Sequence, residues 1–306
     1  MRVAVVDIGT NSTRLLIAEI SDGRVTTQLA RESNVTRLGA GVDAEGRLSE
    51  EAIERVLSTL ERYQTEIERH DVEKRVAVLT SAVRDAENGA EFARIVETRY
   101  RLPPRILTGD QEARLTFLGA TSERDPADET PRLVIDVGGG STELVIGTAQ
   151  AAGFHVSTQA GVVRQTERHL RRDPPSPAEL EELTADVRAI LTRGVPPEQR
   201  QVVGHAIAVA GTATSLAAIA QQLDPYDSDR VHGYVLSEAQ CDQILAQLAS
   251  LPLDQRRAVP GLHPDRAPTI IAGVIILAQA LSIFDLHEVE VSEHDILRGA
   301  ALDLSG

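Results

Sequence analysis

The chain has no tryptophan, one cysteine, one methionine, four tyrosines and four phenylalanines. Of its 31 basic residues, all but Lys74 are arginine. Each scarcity removes a class of chemistry. A lone Cys241 excludes an internal disulfide and any multi-cysteine zinc site, and points to a reducing, cytoplasmic compartment. Lys74 lies in the polar stretch HDVEKR ahead of a strand. There is thus no GxxxxGK[ST] loop, no kinase-type strand lysine and no Schiff-base lysine. Any phosphate chemistry must use arginine, backbone N–H groups and a metal. Long apolar runs are also missing: none approaches the ~20 residues that span a bilayer. The opening MRVAVVDIG, interrupted by Asp7, reads as a first strand rather than a signal peptide. A net charge of −15 argues against DNA as a partner, and no membrane partner is expected. It leaves room for a polyanionic substrate, since binding follows local charge.

What is present is ordinary globular composition, 42% hydrophobic and 25% charged over 306 residues, a length that favours two domains. The chain also contains a repeat. Residues 5–17, VVDIGTNSTRLLI, align without gaps on residues 134–146, VIDVGGGSTELVI, with seven of 13 positions identical. The Asp-x-Gly-x-x-Ser-Thr frame is kept in register. Each copy reads as a buried strand ending in aspartate, a Gly-containing turn and a second strand. A third β run follows in each half, residues 24–30 and 153–158, and then helices alternate with strands. The polar, proline-containing stretch 121–131 reads as the linker. The expected architecture is a duplicated α/β fold with domains at 1–124 and 125–306, a cleft between them, and a last helix at about 293–306 that packs back on the first domain.

A phosphoryl group needs several converging donors free of bulky side chains, and successive N–H groups around a Gly-rich turn form such a nest. Gly138, Gly139, Gly140, Ser141 and Thr142 make one candidate turn. Gly9, Thr10, Asn11, Ser12 and Thr13 make its counterpart. A third, Ala210-Gly211-Thr212-Ala213-Thr214, follows an apolar strand and opens a helix, joining N–H groups to a positive helix end. Asp7 and Asp136 suit a hard cation, since Mg2+ takes one or two carboxylates plus water and phosphate oxygens. Asp7 could instead only cap its own turn. Glu143 adds a carboxylate, unless strand alternation turns it to solvent. In LTGDQEARLTFLGA, residues 107–120, Thr108 or Asp110 can cap a helix, placing Glu112 in the first turn. An acid there can be a macrodipole partner or a general base for water.

These motifs, with RLGAGV (37–42), TSAVRDA around Arg84 and VAGTATS (209–215), occur together and in order. The chain resembles the exopolyphosphatase and guanosine pentaphosphate phosphohydrolase (Ppx/GppA) family, of the actin-like ATPase, ribonuclease H-like superfamily, over essentially all its length. The resemblance implies Glu112 as catalytic base and Asp136 as a metal contact. It implies that Asn11, Ser12, Arg84, Gly139, Gly140, Ser141, Gly211 and Thr212 line a phosphate path. It also implies Mg2+ as cofactor, polyphosphate or (p)ppGpp as partner, and a homodimer. Two departures stand out. No additional helical C-terminal domain follows, so processive digestion of long chains is not expected. The terminal loop reads Ser292-Glu293-His294-Asp295-Ile296-Leu297-Arg298-Gly299, unlike the serine-acid-glycine and Leu-Arg-Glu-Gly runs of relatives.

An acidic protein must offer a polyanion a local basic track. Arg164, Arg168, Arg171 and Arg172 share one face if residues 161–172 form a helix, giving a docking strip for distal phosphates; the alternative is a solvated face. Arg14, Arg230, Arg256 and Arg257 are further candidates. The expected activity is release of terminal orthophosphate from short polyphosphate. The alternatives are hydrolysis of guanosine pentaphosphate, or a non-hydrolytic alarmone or nucleotide sensor on the same scaffold.

Overall fold

The computed structural model describes residues 1–305. The chain divides into two compact units, Met1–Glu123 joined by the segment from His294 onward, and Arg124–Glu293.

In the first unit β1 (Arg2–Ile8), β2 (Ser12–Ser21), β3 (Arg24–Val35), β4 (Lys74–Leu79) and β5 (Pro104–Ile106) form a sheet in the order β3-β2-β1-β4-β5. β2 runs antiparallel to β1 and β3, while β1, β4 and β5 are parallel. Alternate residues of β1 face opposite sides. Ala4, Val6 and Ile8 pack with the helices Glu50–Arg69 and Gly89–Tyr100. Val3 and Val5 pack with Leu115 of the helix Gly109–Thr121 and with Ile296, Leu297, Ala300 and Ala301 of the last helix, Ile296–Asp303. A strand buried on both faces reads as an unbroken apolar run. That is why β1 is legible.

The second unit repeats the plan. β6 (Arg132–Val137), β7 (Thr142–Gly147), β8 (Ala152–Thr158), β9 (His205–Val209), β10 (Val235–Ser237) and β11 (Glu288–Val291) form a sheet in the order β10-β11-β9-β6-β7-β8. The hairpin and parallel neighbour β8-β7-β6-β9 reproduce β3-β2-β1-β4. The fold is a duplicated α/β, ribonuclease H-like arrangement, as the sequence repeat requires. The apolar helix Ile270–Ile283 runs through the core of this unit. Among the described residues, no helix is long and apolar enough to cross a membrane.

Several expectations need correction. β3 runs on to Val35 rather than stopping near residue 30. The edge strand β10 and the short helix Ser81–Asp85 carry too few residues to show periodicity. The helix after the second hairpin covers only Val162–His169, because Pro174 and Pro175 follow closely and proline disfavours continued helix. Arg171 and Arg172 lie beyond it, their backbone N–H groups donating to Glu179 Oε1 at 3.0 and 3.1 Å. The four-arginine helical face therefore does not form.

Candidate active site

Both hairpin turns close alike. Gly9 N–H donates to Ser12 O at 2.9 Å, and Gly138 N–H donates to Ser141 O at 3.0 Å. A Cβ on either glycine would stand 3.0 Å from that carbonyl oxygen, tighter than ordinary packing. The antiparallel register sets Arg14 directly opposite Asp7, and Glu143 directly opposite Asp136. Opposed residues of an antiparallel pair share one face with Cβ atoms about 5 Å apart. Equivalent positions of the repeat thus carry opposite charges.

In the first unit, Arg14 Nε and Nη2 donate to Asp7 Oδ2 at 2.8 and 2.6 Å, and its Nη1 donates to Asp295 Oδ2. Arg31 reaches the same Asp295 oxygen at 3.4 Å. Burial pushes the Asp7 carboxyl up despite Arg14. Burial also works to raise Asp295, but Arg14, Arg31 and the Leu297 N–H outweigh it and hold it low. Arg14 is therefore an internal clamp and no part of a docking track. Asp7 already has a cation, which weakens its case as a metal ligand; only its buried Oδ1 lacks a hydrogen-bond partner.

The second unit carries a different pair at these positions. Asp136 and Glu143 are both buried, and Glu143 is only 1% exposed, so alternation does not turn it to solvent. Ser157 Oγ donates to Glu143 Oε1 at 2.7 Å. Two carboxylates abreast with a hydroxyl beside them form an all-oxygen donor set of the kind Mg2+ takes. Adjacent like charges also favour a cation between them. The glycine turn is drawn back onto the following helix: Val162 N–H and Val163 N–H donate to Gly138 O and Gly139 O at 2.9 and 2.8 Å, and Arg164 Nε donates to Gly140 O at 3.0 Å. These bonds fix all three glycine carbonyls of the turn, while the Gly138 N–H is taken by Ser141 O. Arg164 thus braces the turn. The Thr142 hydroxyl is also spent on bracing, donating to Ala160 O. Arg168 pairs with Asp186 at 3.4 Å. Arg256 is enclosed, bonded to the carbonyls of Leu248, Leu251 and Ala267, which removes it from any substrate track.

The third turn follows β9. Ala210 is held at φ 62°, a left-handed conformation that costs a non-glycine residue free energy and often marks function. Gly211 and Thr212 open the helix Ala210–Ala220. A Cβ on Gly211 would lie 1.6 Å from Arg266 Nη1, so the Arg266 guanidinium rests directly on this turn. Nothing in the local sequence singles out Arg266 among so many arginines; only the fold reveals it.

Glu112 belongs to the first unit. Thr108 is the N-cap of its helix, and Gln111 closes a capping box. Glu112 is 7% exposed, and Arg84 Nη1 bridges it, donating to Glu112 Oε2 at 3.1 Å and to Leu107 O at 2.8 Å. Arg84 comes from the short helix Ser81–Asp85 at the end of β4. Thr10 ties that helix to the first turn, its Oγ1 bonding Ser81 Oγ at 2.8 Å and accepting from Ala82 N–H at 3.2 Å. Asn11 O accepts from Thr36 and Arg37 N–H, and its buried Oδ1 has no hydrogen-bond partner. A free macrodipole acid would be exposed. Glu112 is instead enclosed and held in place. Cys241 is fully buried and its thiol is pushed up to about 12 by burial, so it is inert.

The model of the Ppx/GppA phosphatase family matches residues 16–304. Exopolyphosphatase 2 of Mycobacterium tuberculosis is 36% identical over 317 aligned residues, covering 100% of this chain and 99% of that protein. The crystal structure of an exopolyphosphatase-like protein superposes with a TM-score of 0.92 at 33% identity, covering 99% and 97% of the two chains. The Aquifex aeolicus member of the Ppx/GppA family gives a TM-score of 0.82 at 32% identity, covering 100% and 97%.

Proposed function

The chain belongs to the Ppx/GppA phosphatase family, and from that premise we propose that it is an exopolyphosphatase releasing terminal orthophosphate from short inorganic polyphosphate. As a family member it is a phosphatase; the substrate and the residue roles are the proposal. Glu112 takes a proton from water as the water oxygen bonds to the terminal phosphorus. The bridging P–O bond breaks, and the shortened chain leaves with the electron pair. Arg84 holds Glu112 in orientation and offers its remaining N–H groups to phosphate. In the first unit the Asn11–Ser12 turn, and in the second unit the Gly138–Ser141 and Gly211–Thr212 turns with Arg266, each offer donors of the kind phosphoryl transfer needs to spread charge. Asp136 and Glu143 are the residues to hold Mg2+, which would neutralise phosphate oxygens when bound. The observation that carries the reading is the enclosed Glu112–Arg84 pair on a capped helix.

One observation favours guanosine pentaphosphate as a second reading. Tyr226 is 51% exposed, lines a cavity of about 450 Å³ with Asp224, Asp227 and Arg230, and its hydroxyl donates to Glu293. Glu293 follows Ser292, whose N–H donates to Ala208 O just before the third turn. An aromatic face at that rim could stack a base.

The test is Mg2+-dependent orthophosphate release from tripolyphosphate, long-chain polyphosphate, guanosine pentaphosphate and ATP, with Glu112→Gln as control. Loss of a general base should lower kcat by about 10²–10⁴-fold. A Glu112→Gln enzyme within a few-fold of wild type would overturn the mechanism. Failure to hydrolyse any of the four would favour the sensor.

A further inference from the structure

Asp295 has no role in the chemistry above, yet it touches both catalytic elements of the first unit. It is 1% exposed, and its two oxygens and its carbonyl make three separate attachments. Oδ1 accepts from Leu297 N–H at 3.0 Å, capping the last helix. Oδ2 receives Arg14, whose other two donors hold Asp7 at the end of β1. Its backbone carbonyl lies against the helix that carries Glu112: a Cβ on Gly119 would stand 1.9 Å from Asp295 O. One turn further along, a Cβ on Gly299 would stand 1.8 Å from Leu115 O. The two helices therefore cross in backbone contact, with a glycine on each side of the crossing. Small residues permit such an approach, and a rigid close contact transmits displacement instead of absorbing it. Arg298 fastens the far end, donating to Ser122 Oγ and Glu123 Oε1 at 2.8 Å each.

The charges make the arrangement a unit. Buried Asp7 and Asp295 share Arg14, and the partly exposed Arg31 joins them at Asp295. Each acid is held against the other's pull on Arg14. Removing one carboxylate charge leaves the largely enclosed Arg14 with one acid fewer to hold it, and the set shifts in response. Movement of Arg14 carries Asp7, and movement of Asp295 carries the Glu112 helix.

We propose that Asp295 is a positioning residue that registers the Glu112 helix against the Asp7 turn through its backbone carbonyl and Arg14. The proposal rests on the reading of Glu112 as the base, and it concerns alignment, not contact with substrate. The variant to make is Asp295→Asn, which keeps a good helix cap but removes the charge. Arg31→Ala, which loosens the same set from its more exposed side, serves where Asp295→Asn does not fold.

Two measurements are paired. Steady-state kinetics on tripolyphosphate should show kcat reduced about 10–100-fold with KM changed less than threefold, because misplacement of a catalytic group by about 1 Å can cost that much. Hydrogen exchange should show faster amide exchange confined to residues 109–121 and to the β1–β2 turn, with the second unit unchanged. Unchanged exchange in residues 109–121, or a loss that falls on KM and spares kcat, overturns the proposal. If Glu112→Gln retains activity, the hydrolytic mechanism fails, while the exchange data still decide whether Asp295 couples the two elements.

Discussion

Replacing Gly161 by alanine tests whether the glycine turn of the second hairpin is shaped from behind. Gly161 has φ −109°, which alanine adopts freely, so the substitution adds one methyl group and no backbone strain. That methyl would stand 2.2 Å from Gly140 C, 2.3 Å from Gly139 O and 2.4 Å from Gly140 Cα. All three are backbone atoms with no flexible end to swing aside. Restoring an ordinary contact of 3.4 Å requires the turn or the helix to give by roughly 1 Å, enough to cost on the order of 10²-fold in a positioned site. Overpacking of this kind costs about 1–3 kcal/mol, and each kcal/mol lowers Tm by about 2–4 °C in a domain of this size. The matched control is Gly204→Ala, where nothing lies within 4 Å of the added carbon and φ is not positive. The control should keep wild-type kcat and stability. The assay is orthophosphate release from tripolyphosphate at saturating Mg2+, with thermal unfolding of both variants. A Gly161→Ala enzyme within threefold of Gly204→Ala in kcat, at equal Tm, would refute the claim that the turn's position governs turnover.

Arg266→Ala should lower kcat/KM about 10–100-fold, the range for losing charge-assisted hydrogen bonds, with unchanged circular dichroism; an unchanged kcat/KM would remove Arg266 from the site. Ser157→Ala releases Glu143 Oε1 and should weaken Mg2+ binding by about 10-fold or more, as loss of a partner behind a ligand does; equal titration calorimetry isotherms would count against Asp136 and Glu143 as the metal pair. Glu179 is held down to about 2 by the Ser176 N–H above all, with the Ser176 hydroxyl and the Arg171 and Arg172 N–H groups contributing. A depressed carboxyl stabilises the fold above its ordinary value of 4.5 and loses that contribution as pH falls toward 2. The Tm gap between wild type and Glu179→Gln should therefore be constant above about pH 5 and close between 4.5 and 2. A gap that persists at pH 2 would contradict it.

The sequence was most legible where local pattern and burial agree. β1 and β6 are unbroken apolar runs because both faces are covered, and the repeat fixes the hairpins because their turns need glycine at matching places. Thr108 and Ser176 cap their helices by the same local rule that identifies such caps in sequence. What was illegible depends on partners distant in the chain. Arg14 reads as a free cation until Asp295, 281 residues away, is seen to bind it. Arg172 reads as part of a helical stripe until Glu179 captures its N–H beyond the helix end. Arg266 carries no pattern, since its importance is only that its guanidinium rests on Gly211.

The duplication explains how one scaffold yields two unlike halves. Position 14 in the first copy and position 143 in the second are equivalent, and strand register makes each the direct neighbour of the turn aspartate. Arginine at this place turns the aspartate into half of an internal salt bridge, anchored further by Asp295. Glutamate at the same place gives two carboxylates side by side, a pairing that strands disfavour unless something positive lies between them. Both units keep the turn, its first glycine and the Ser-Thr pair, and both close it with the same glycine N–H bond to the serine carbonyl. Among their differences is this one cross-strand charge, which in the first unit pairs the turn aspartate with arginine and in the second sets two carboxylates abreast.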